Sequence, residues 1–109
     1  MNKKELGNIG KALTIQYIQS NGYKILSKNF RCKFGEIDII AKYKNFYVFI
    51  EVKTRKNLIF DRPVEAIDSK KIAHMLKTIR FYLKMRNIIN SNVRIDAIEI
   101  IFIDLKKLI

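Results

Sequence analysis

Three side chains that could do chemistry together lie in the stretch Gly35–Arg55: the carboxylates of Asp38 and Glu51 and the amine of Lys53. Two apolar runs carry them, and the short polar segment between the runs predicts an antiparallel hairpin. Because strand side chains repeat every two residues, Glu51 and Lys53 should share a face. The hairpin would bring Asp38 back beside Glu51.

This set of groups is typical of metal-assisted hydrolysis of a phosphodiester. Two carboxylates suit a hard divalent cation that accepts oxygen ligands. The Lys53 ammonium can orient or polarise a water, or balance negative charge on a phosphate. Asp38, Glu51 and Lys53 are therefore the candidate catalytic residues.

The same residues also fit a plainer interpretation. Glu51 and Lys53 could form the solvated polar face of a strand, and Asp38 could make an ordinary ion pair with Lys53. All three lie in or at the end of apolar runs, where a charge is costly unless it is paired or functional. That context favours the functional interpretation.

The two segments Gly35–Ala41 (GEIDIIA) and Phe49–Arg55 (FIEVKTR) together resemble the YraN family of small bacterial endonuclease-like proteins. That family is similar to the PD-(D/E)xK nucleases, with kinship to archaeal Holliday-junction resolvases. The resemblance implies a nuclease-type fold and nuclease activity, without a biological substrate. It covers nearly the whole chain and extends to further short segments: Leu6–Gly7, Gly10, Asn21–Tyr23, Asn29–Cys32, Ala66, Ser69–Lys71 and Arg94–Asp96.

One position departs from the pattern of the family. Family members commonly carry a glutamate directly after the second glycine of the first helix, whereas this chain has Lys11 there. In some PD-(D/E)xK nucleases the helix after the second acid adds a lysine or glutamine to the site, and Lys70 is the candidate here. Glu36 is a further acid on the face of Asp38, either a metal ligand or a salt-bridge partner for Arg31 or Arg55.

The length and net charge of the chain limit the number of domains and the kind of partner that can be expected. The chain has 109 residues, enough for one compact domain, and 22 Lys and Arg against 10 Asp and Glu give a net charge of +12. Such a charge favours a nucleic acid or an anionic membrane as partner, although an AT-rich genome also raises the lysine content. The single cysteine, the missing signal-peptide pattern and the missing membrane-length apolar run predict a cytoplasmic protein without membrane contact.

Hydrophobic periodicity predicts the order helix, strand, hairpin, helix, strand. This is an α/β architecture with a restriction-endonuclease-like core, in which helices flank a mixed sheet of about four or five strands. The last strand reads as a very apolar, buried strand. A loop of about ten residues is predicted after Lys53, and its apolar residues 58–60 could pack into the core or form a flap. The predicted ranges are 3–20 and 69–87 for the helices and 23–30, 37–41, 46–53 and 93–103 for the strands.

Basic residues recur along the second helix. Lys70, Lys77 and Lys84 are spaced seven apart with Arg80 between the last two, and no acid occurs from Lys70 to Asn87. A solvated helix face is one interpretation. The lack of acids favours a surface that contacts the phosphate backbone, with Arg55 added to it.

Together these observations predict an Mg²⁺- or Mn²⁺-dependent endonuclease that acts on DNA and is directed by structure rather than base sequence. Asp38, Glu51 and the main-chain carbonyl of Val52 would hold the metal. Two alternatives stay open: a nucleic-acid-binding module that has lost turnover, and a basic interaction protein that uses its acids only in ion pairs. By analogy with resolvases, a homodimer is also left open.

Overall fold

The computed structural model describes residues 1–56 and 68–103. Its element order confirms the predicted α/β class of helices around a mixed sheet. No helix in the described residues is both long enough and apolar enough to cross a membrane. The elements are α1 (Lys3–Ser20), β1 (Lys24–Cys32), β2 (Gly35–Tyr43), β3 (Phe46–Lys56), α2 (Ser69–Met85) and β4 (Asn92–Phe102).

The four strands lie in the order β1-β2-β3-β4. The first three form an antiparallel meander, whereas β4 pairs with β3 in parallel. A parallel pair needs a long crossover, and α2 lies in that connection. The predicted four or five strands are thus four in the described residues.

The sheet has a hydrophobic core on each face. On one face Phe49 of β3 packs with Met75 and Ile79 of α2. On the other face Ile18 of α1 packs with Ile50 of β3 and a cluster of further strand residues. The central strands β2 and β3 are therefore covered on both sides, which explains why they read as nearly continuous apolar runs.

Both helices begin at the kind of residue that stabilises a helix start. The side chain of Asn2 accepts a hydrogen bond from the Glu5 N–H at 2.8 Å, and Asp68 accepts one from the Lys71 N–H at 2.7 Å. These caps satisfy backbone donors that have no partner inside the helix. The α1 helix stops before Gly22, which adopts a φ of +89°.

Several boundaries differ from the sequence-based prediction. Strand β1 extends to Cys32 and β3 to Lys56, where basic connecting segments were expected, because the strands keep their pairing partners through these polar ends. The prediction of a fully buried last strand is wrong: β4 is an edge strand of the described sheet and is at most half-buried. The apolar residues 58–60 of the loop predicted after Lys53 lie outside the described residues.

The spacing of apolar residues in α2 predicts a buried stripe that needs a correction, and that stripe consists of Ile72, Met75 or Leu76, Ile79 and Leu83. Met75 and Ile79 are buried as predicted, and Tyr82 joins them. Ile72 and Leu76 are exposed, at 38% and 37% of their surface. The face that turns toward the sheet is therefore shifted around the helix axis relative to the predicted face.

Gly10 marks the closest approach of α1 to the sheet. A Cβ placed on Gly10 would collide with the Thr54 hydroxyl of β3, whereas a Cβ on Gly7 would meet nothing. From the sequence alone, either glycine could allow close approach of the sheet or of a phosphate. In the structure β3 occupies the space beside Gly10, so this glycine allows the close approach of the sheet.

We therefore expect Gly10→Ala to lower the free energy of unfolding by about 1–3 kcal/mol, the usual range for overpacking a filled site. Gly7→Ala is the matched control on the same helix. It should be neutral or stabilising by up to about 1 kcal/mol, because alanine is the better helix former. Chemical denaturation of both variants measures the difference, and equal stabilities would contradict this packing.

Candidate functional site

The site forms where strands β2 and β3 stop pairing. Their ladder includes Ile39 opposite Ile50 and goes no further, so the next pair, Asp38 and Glu51, stands beyond it. From this point β2 continues beside β1 and β3 continues beside β4. We call this place the β2–β3 fork.

A side chain replaces the missing backbone pairing at the fork. The N–H of Val52 donates a hydrogen bond to Oδ2 of Asp38 at 2.8 Å. A charged acceptor makes this bond stronger than an ordinary backbone one. It ties the Asp38 carboxylate to β3, directly beside the residue that carries the second acid.

The side-chain alternation of β2 shifts by one position at the same place. Ile37 packs in the core beneath α2, whereas Ile39 packs in the core beneath α1. Regular alternation would put both on one face. The regular alternation of β2 side chains is therefore interrupted at Asp38. As a result the Asp38 carboxylate is accessible from the α1 side while it remains hydrogen-bonded to β3.

The surroundings of Glu51 disfavour the ionised form of its carboxyl group. Only 13% of its side chain is exposed, and its Oε1 lies 3.3 Å from Nζ of Lys71. Burial, followed by the negative charge of Asp38, raises the pKa of Glu51 above its usual 4.5, although Lys71 and Lys53 act in the opposite direction. The negative charge of Asp38 therefore acts on Glu51 across the β2–β3 fork.

Asp38 also has a lysine beside it. Nζ of Lys11 lies 3.7 Å from Oδ1 of Asp38 and donates a hydrogen bond to Oδ1 of Asn29 at 2.8 Å. The residue that departs from the family pattern therefore places its ammonium against the first candidate ligand. A bound metal ion would have to compete with this ammonium for Asp38.

The donor set fits a magnesium-type ion. It consists of two carboxylates and the main-chain carbonyl of Val52, and no group of three or more His, Cys, Asp or Glu suited to a metal occurs among residues 1–56 and 68–103. Mg²⁺ is usually held by one or two carboxylates and keeps several waters. A cation between Asp38 and Glu51 would also remove the repulsion that raises the pKa of Glu51.

Two of the remaining predicted site residues are engaged in salt bridges. Oε2 of Glu36 lies 3.4 Å from Nε of Arg31 on the surface. Nε of Arg55 lies 3.8 Å from Oε2 of Glu99. Glu36 thus follows the salt-bridge alternative, with Arg31 rather than Arg55, although it also lines a groove that reaches Asp38.

The cations of α2 divide into two groups. Lys77, Arg80 and Lys84 line one groove on the surface of the helix. Lys70 is exposed at the helix start, and the lysine that contacts Glu51 is its neighbour Lys71. Near the carboxylates the candidate helix lysine is therefore displaced by one residue from the expected Lys70.

Glu99 is a residue of the site region that sequence reasoning missed. It pairs in register with Lys53, and both of its carboxylate oxygens are buried without a hydrogen-bond partner among the described residues. Its signal was present in the sequence, since Glu99 stands alone in an apolar run in the same way as Asp38. Lys71 offered no such signal, because nothing in the sequence distinguishes it from Lys70.

The raised pKa of Glu51 predicts a pH-dependent stability effect. Because the folded protein holds this proton more tightly than the unfolded chain, ionising Glu51 removes stability as the pH rises above 4.5. We expect Glu51→Gln to unfold at a higher temperature than the wild type at neutral pH. The advantage should shrink as the pH falls toward 4.5, where the wild-type carboxyl becomes neutral too.

Glu36→Gln is the control for this experiment, since Glu36 is an exposed acid paired at the surface and should change stability by no more than about 0.5 kcal/mol. Thermal unfolding across the pH range measures both variants. A Glu51→Gln protein less stable than the wild type at neutral pH would show that Glu51 stabilises the fold through its ion pair.

Comparison with known proteins gives one consistent answer. Residues 10–100 match the family model described as uncharacterised protein family UPF0102. A UPF0102 protein of Caldanaerobacter subterraneus subsp. tengcongensis is 46% identical over 100 residues, which is 92% of this chain and 82% of the relative. A relative from Caldicellulosiruptor saccharolyticus is 44% identical over 92% of this chain and 85% of its own length.

A third relative, the UPF0102 protein of Clostridium botulinum strain Kyoto, is 50% identical over 99 residues, which is 90% of this chain and 80% of the relative. The relatives carry the family name without naming an activity. The match covers α1 from Gly10 onward, the β2–β3 fork, all of α2 and most of β4. This chain belongs to the UPF0102 family, the YraN-like family that its motifs resemble.

Proposed function

We propose that this protein is a metal-dependent endonuclease that hydrolyses DNA phosphodiester bonds. One observation carries the proposal: at the β2–β3 fork the Val52 N–H holds the Asp38 carboxylate beside Glu51, close enough for its charge to raise the pKa of Glu51. Lys53 follows on the face of Glu51. Two acids and an amine are thus gathered on rigid strands, where positions are well defined.

The direction of the Glu51 pKa argues against a purely structural role for these acids. A carboxylate used only in a stabilising ion pair has its pKa lowered by its partner. Here burial and Asp38 outweigh two nearby lysines and raise the pKa. Perturbed carboxyl groups of this kind cluster at functional sites, which disfavours the alternative of a basic interaction protein.

Each residue of the site has a distinct role in this proposal. Asp38, Glu51 and the Val52 carbonyl would hold Mg²⁺ or Mn²⁺. When bound, the ion would act as a Lewis acid and lower the pKa of a coordinated water. Lys53 would orient the attacking water or stabilise the negative charge that develops on the phosphate. Lys71 would leave Glu51 as the metal takes over its charge balance.

DNA fits the surface of the protein better than a neutral substrate does. The net charge is +12, and the exposed cations of α2 have no acid beside them from Lys70 to Asn87. Contacts of this kind bind the phosphate backbone and carry no sequence information. Cleavage is therefore proposed to depend on DNA structure rather than on base sequence.

A panel of labelled DNAs tests the proposal: single-stranded, duplex, flap and four-way junction, each with Mg²⁺, Mn²⁺ or EDTA. We expect cleavage that requires metal and falls about 100-fold or more in Asp38→Asn and in Lys53→Ala, because the first variant loses a metal ligand and the second loses the amine that acts on the attacking water or the developing charge. Lys24→Ala, which removes an exposed cation of β1, is the control and should cleave normally.

Cleavage that persists equally in Asp38→Asn and Lys53→Ala would come from a contaminating enzyme and would overturn the proposed site. Absence of cleavage on every substrate, together with tight binding that falls with salt, would favour the second candidate function. Circular dichroism of each variant confirms that a loss of activity is not a loss of fold.

The second candidate is a nucleic-acid-binding module without turnover, and the position of Lys11 favours it. Its ammonium lies against Asp38 and offers an internal cation in place of a metal. If Lys11 only competes with the metal, Lys11→Gln should bind Mn²⁺ more tightly than the wild type does. Asn8→Gln, a neutral change on the same groove of α1, is the control.

Calorimetric titration with Mn²⁺ separates the two functions. Wild-type binding that is strengthened by Lys11→Gln and abolished by Asp38→Asn supports the enzyme. Binding that appears only in Lys11→Gln would mean that Lys11 has replaced the metal and that the wild type is a binding module.

A further inference from the structure

A groove outside the β2–β3 fork combines aromatic rings with positive charge. It lies between the β1–β2 turn and the exposed side of α2 and has a volume of about 550 Å³. This volume is in the range of sites that hold a small organic group. The lining residues are Lys33, Phe34, Lys77, Arg80, Phe81, Lys84 and Met85.

Two phenylalanines form the apolar wall of this groove. The ring centroids of Phe34 and Phe81 are 6.2 Å apart at an angle of 65°. Phe81 also contacts Phe30 of β1, with centroids 6.4 Å apart. Both wall residues keep about a third of their surface exposed, 37% for Phe34 and 36% for Phe81. The rings are therefore held by neighbouring rings but offer free aromatic surface to a ligand.

The β1–β2 turn that carries Phe34 is fixed against α2. A Cβ on Gly35 would lie 3.3 Å from Oγ1 of Thr78, and Gly35 has a φ of +148°. A side chain at this position would therefore be strained and crowded. The glycine lets the turn approach the helix, which keeps Phe34 next to Phe81.

The charge of the groove selects the ligand. Four of its seven lining residues are cations, and none is an acid. A ligand that complements it needs a flat apolar part and several negative charges. Nucleotides supply both, since every base has a π-face that stacks on an aromatic ring and every linkage has a phosphate.

We propose that this groove binds unpaired nucleotides of a DNA strand, with a base stacked on Phe34 or Phe81 and phosphates on the surrounding cations. A paired base has its faces covered by its neighbours in the duplex, so the rings favour a single strand. The inference deepens the proposed nuclease function by naming the feature of DNA that is recognised: an unpaired strand beside the site of cleavage.

The position of the groove agrees with that substrate. Phe34 precedes Asp38 by four residues, which corresponds to about 13 Å along an extended strand. A strand anchored in the groove would thus reach the β2–β3 fork within a few linkages.

Binding measured in EDTA tests this inference without any cleavage. Fluorescence anisotropy would compare a labelled 12-residue oligothymidylate with a 12-residue abasic strand that has the same phosphates, on wild type and on Phe34→Leu. Leucine keeps the apolar wall but removes the stacking surface. We expect the wild type to prefer the strand with bases, and Phe34→Leu to bind it about fivefold more weakly, near the lower limit for loss of one stacked base.

Phe46→Leu is the matched control. Phe46 has the same exposure of 37% and also lies beside a cation, Arg94, but it stands at the hairpin turn at the other end of β2. We expect it to bind both strands as the wild type does. Phe34→Leu should bind the abasic strand as the wild type does, since the cations remain.

Equal affinity of the wild type for the two strands would overturn the inference, because it would mean that the groove senses charge alone. Equal loss in Phe34→Leu and Phe46→Leu would also overturn it, as would displacement of the oligonucleotide by polyglutamate at matched charge, which would indicate an acidic protein partner. These outcomes are independent of the proposed chemistry. Base-dependent binding without any cleavage would contradict the nuclease and leave the groove intact.

Discussion

The hydrogen bond from the Val52 N–H to Asp38 is the interaction on which the site depends. Where β2 and β3 separate, β3 has a backbone donor that β2 no longer accepts, and a buried donor without a partner is costly. The Asp38 carboxylate removes that cost and is thereby placed next to Glu51. One change in the chain therefore has two results. The strands separate, which weakens the sheet, and the two acids come together, which creates the site.

The charged residues at the fork show the electrostatic cost of bringing two partly buried acids together. Two partly buried acids lie at the fork, and the chain places Lys11 beside Asp38 and Lys71 beside Glu51. Even so, burial and then the charge of Asp38 keep the pKa of Glu51 raised, so the lysines compensate these two effects only in part. Incomplete compensation is useful in a metal site, since a cage fully neutralised by its own lysines would have little affinity for an added cation.

The sequence predicted those parts of the fold whose signals are local. Helix α1 was predicted at its observed bounds from its hydrophobic periodicity and from Gly22 just beyond its end, and the hairpin followed from two apolar runs around a polar turn. The edge position of β4 could not be predicted, because an apolar run looks the same whether one or two strands flank it. The contacts of Lys71 and Glu99 depend on how β3 meets α2 and β4, which no local pattern encodes.

The fork and the groove are linked by the geometry of β2. Its first residue, Gly35, fixes the β1–β2 turn against Thr78 of α2, and three residues later Asp38 reaches the fork. The two places lie on one strand, and β1 pairs with β2 at Gly35, Glu36 and Ile37 between them. A strand held at Phe34 would therefore be positioned relative to Asp38 by the sheet itself. Positioning by a rigid strand is what an enzyme needs when it selects a substrate by shape, because the distance from anchor to metal then determines which linkage is presented for cleavage.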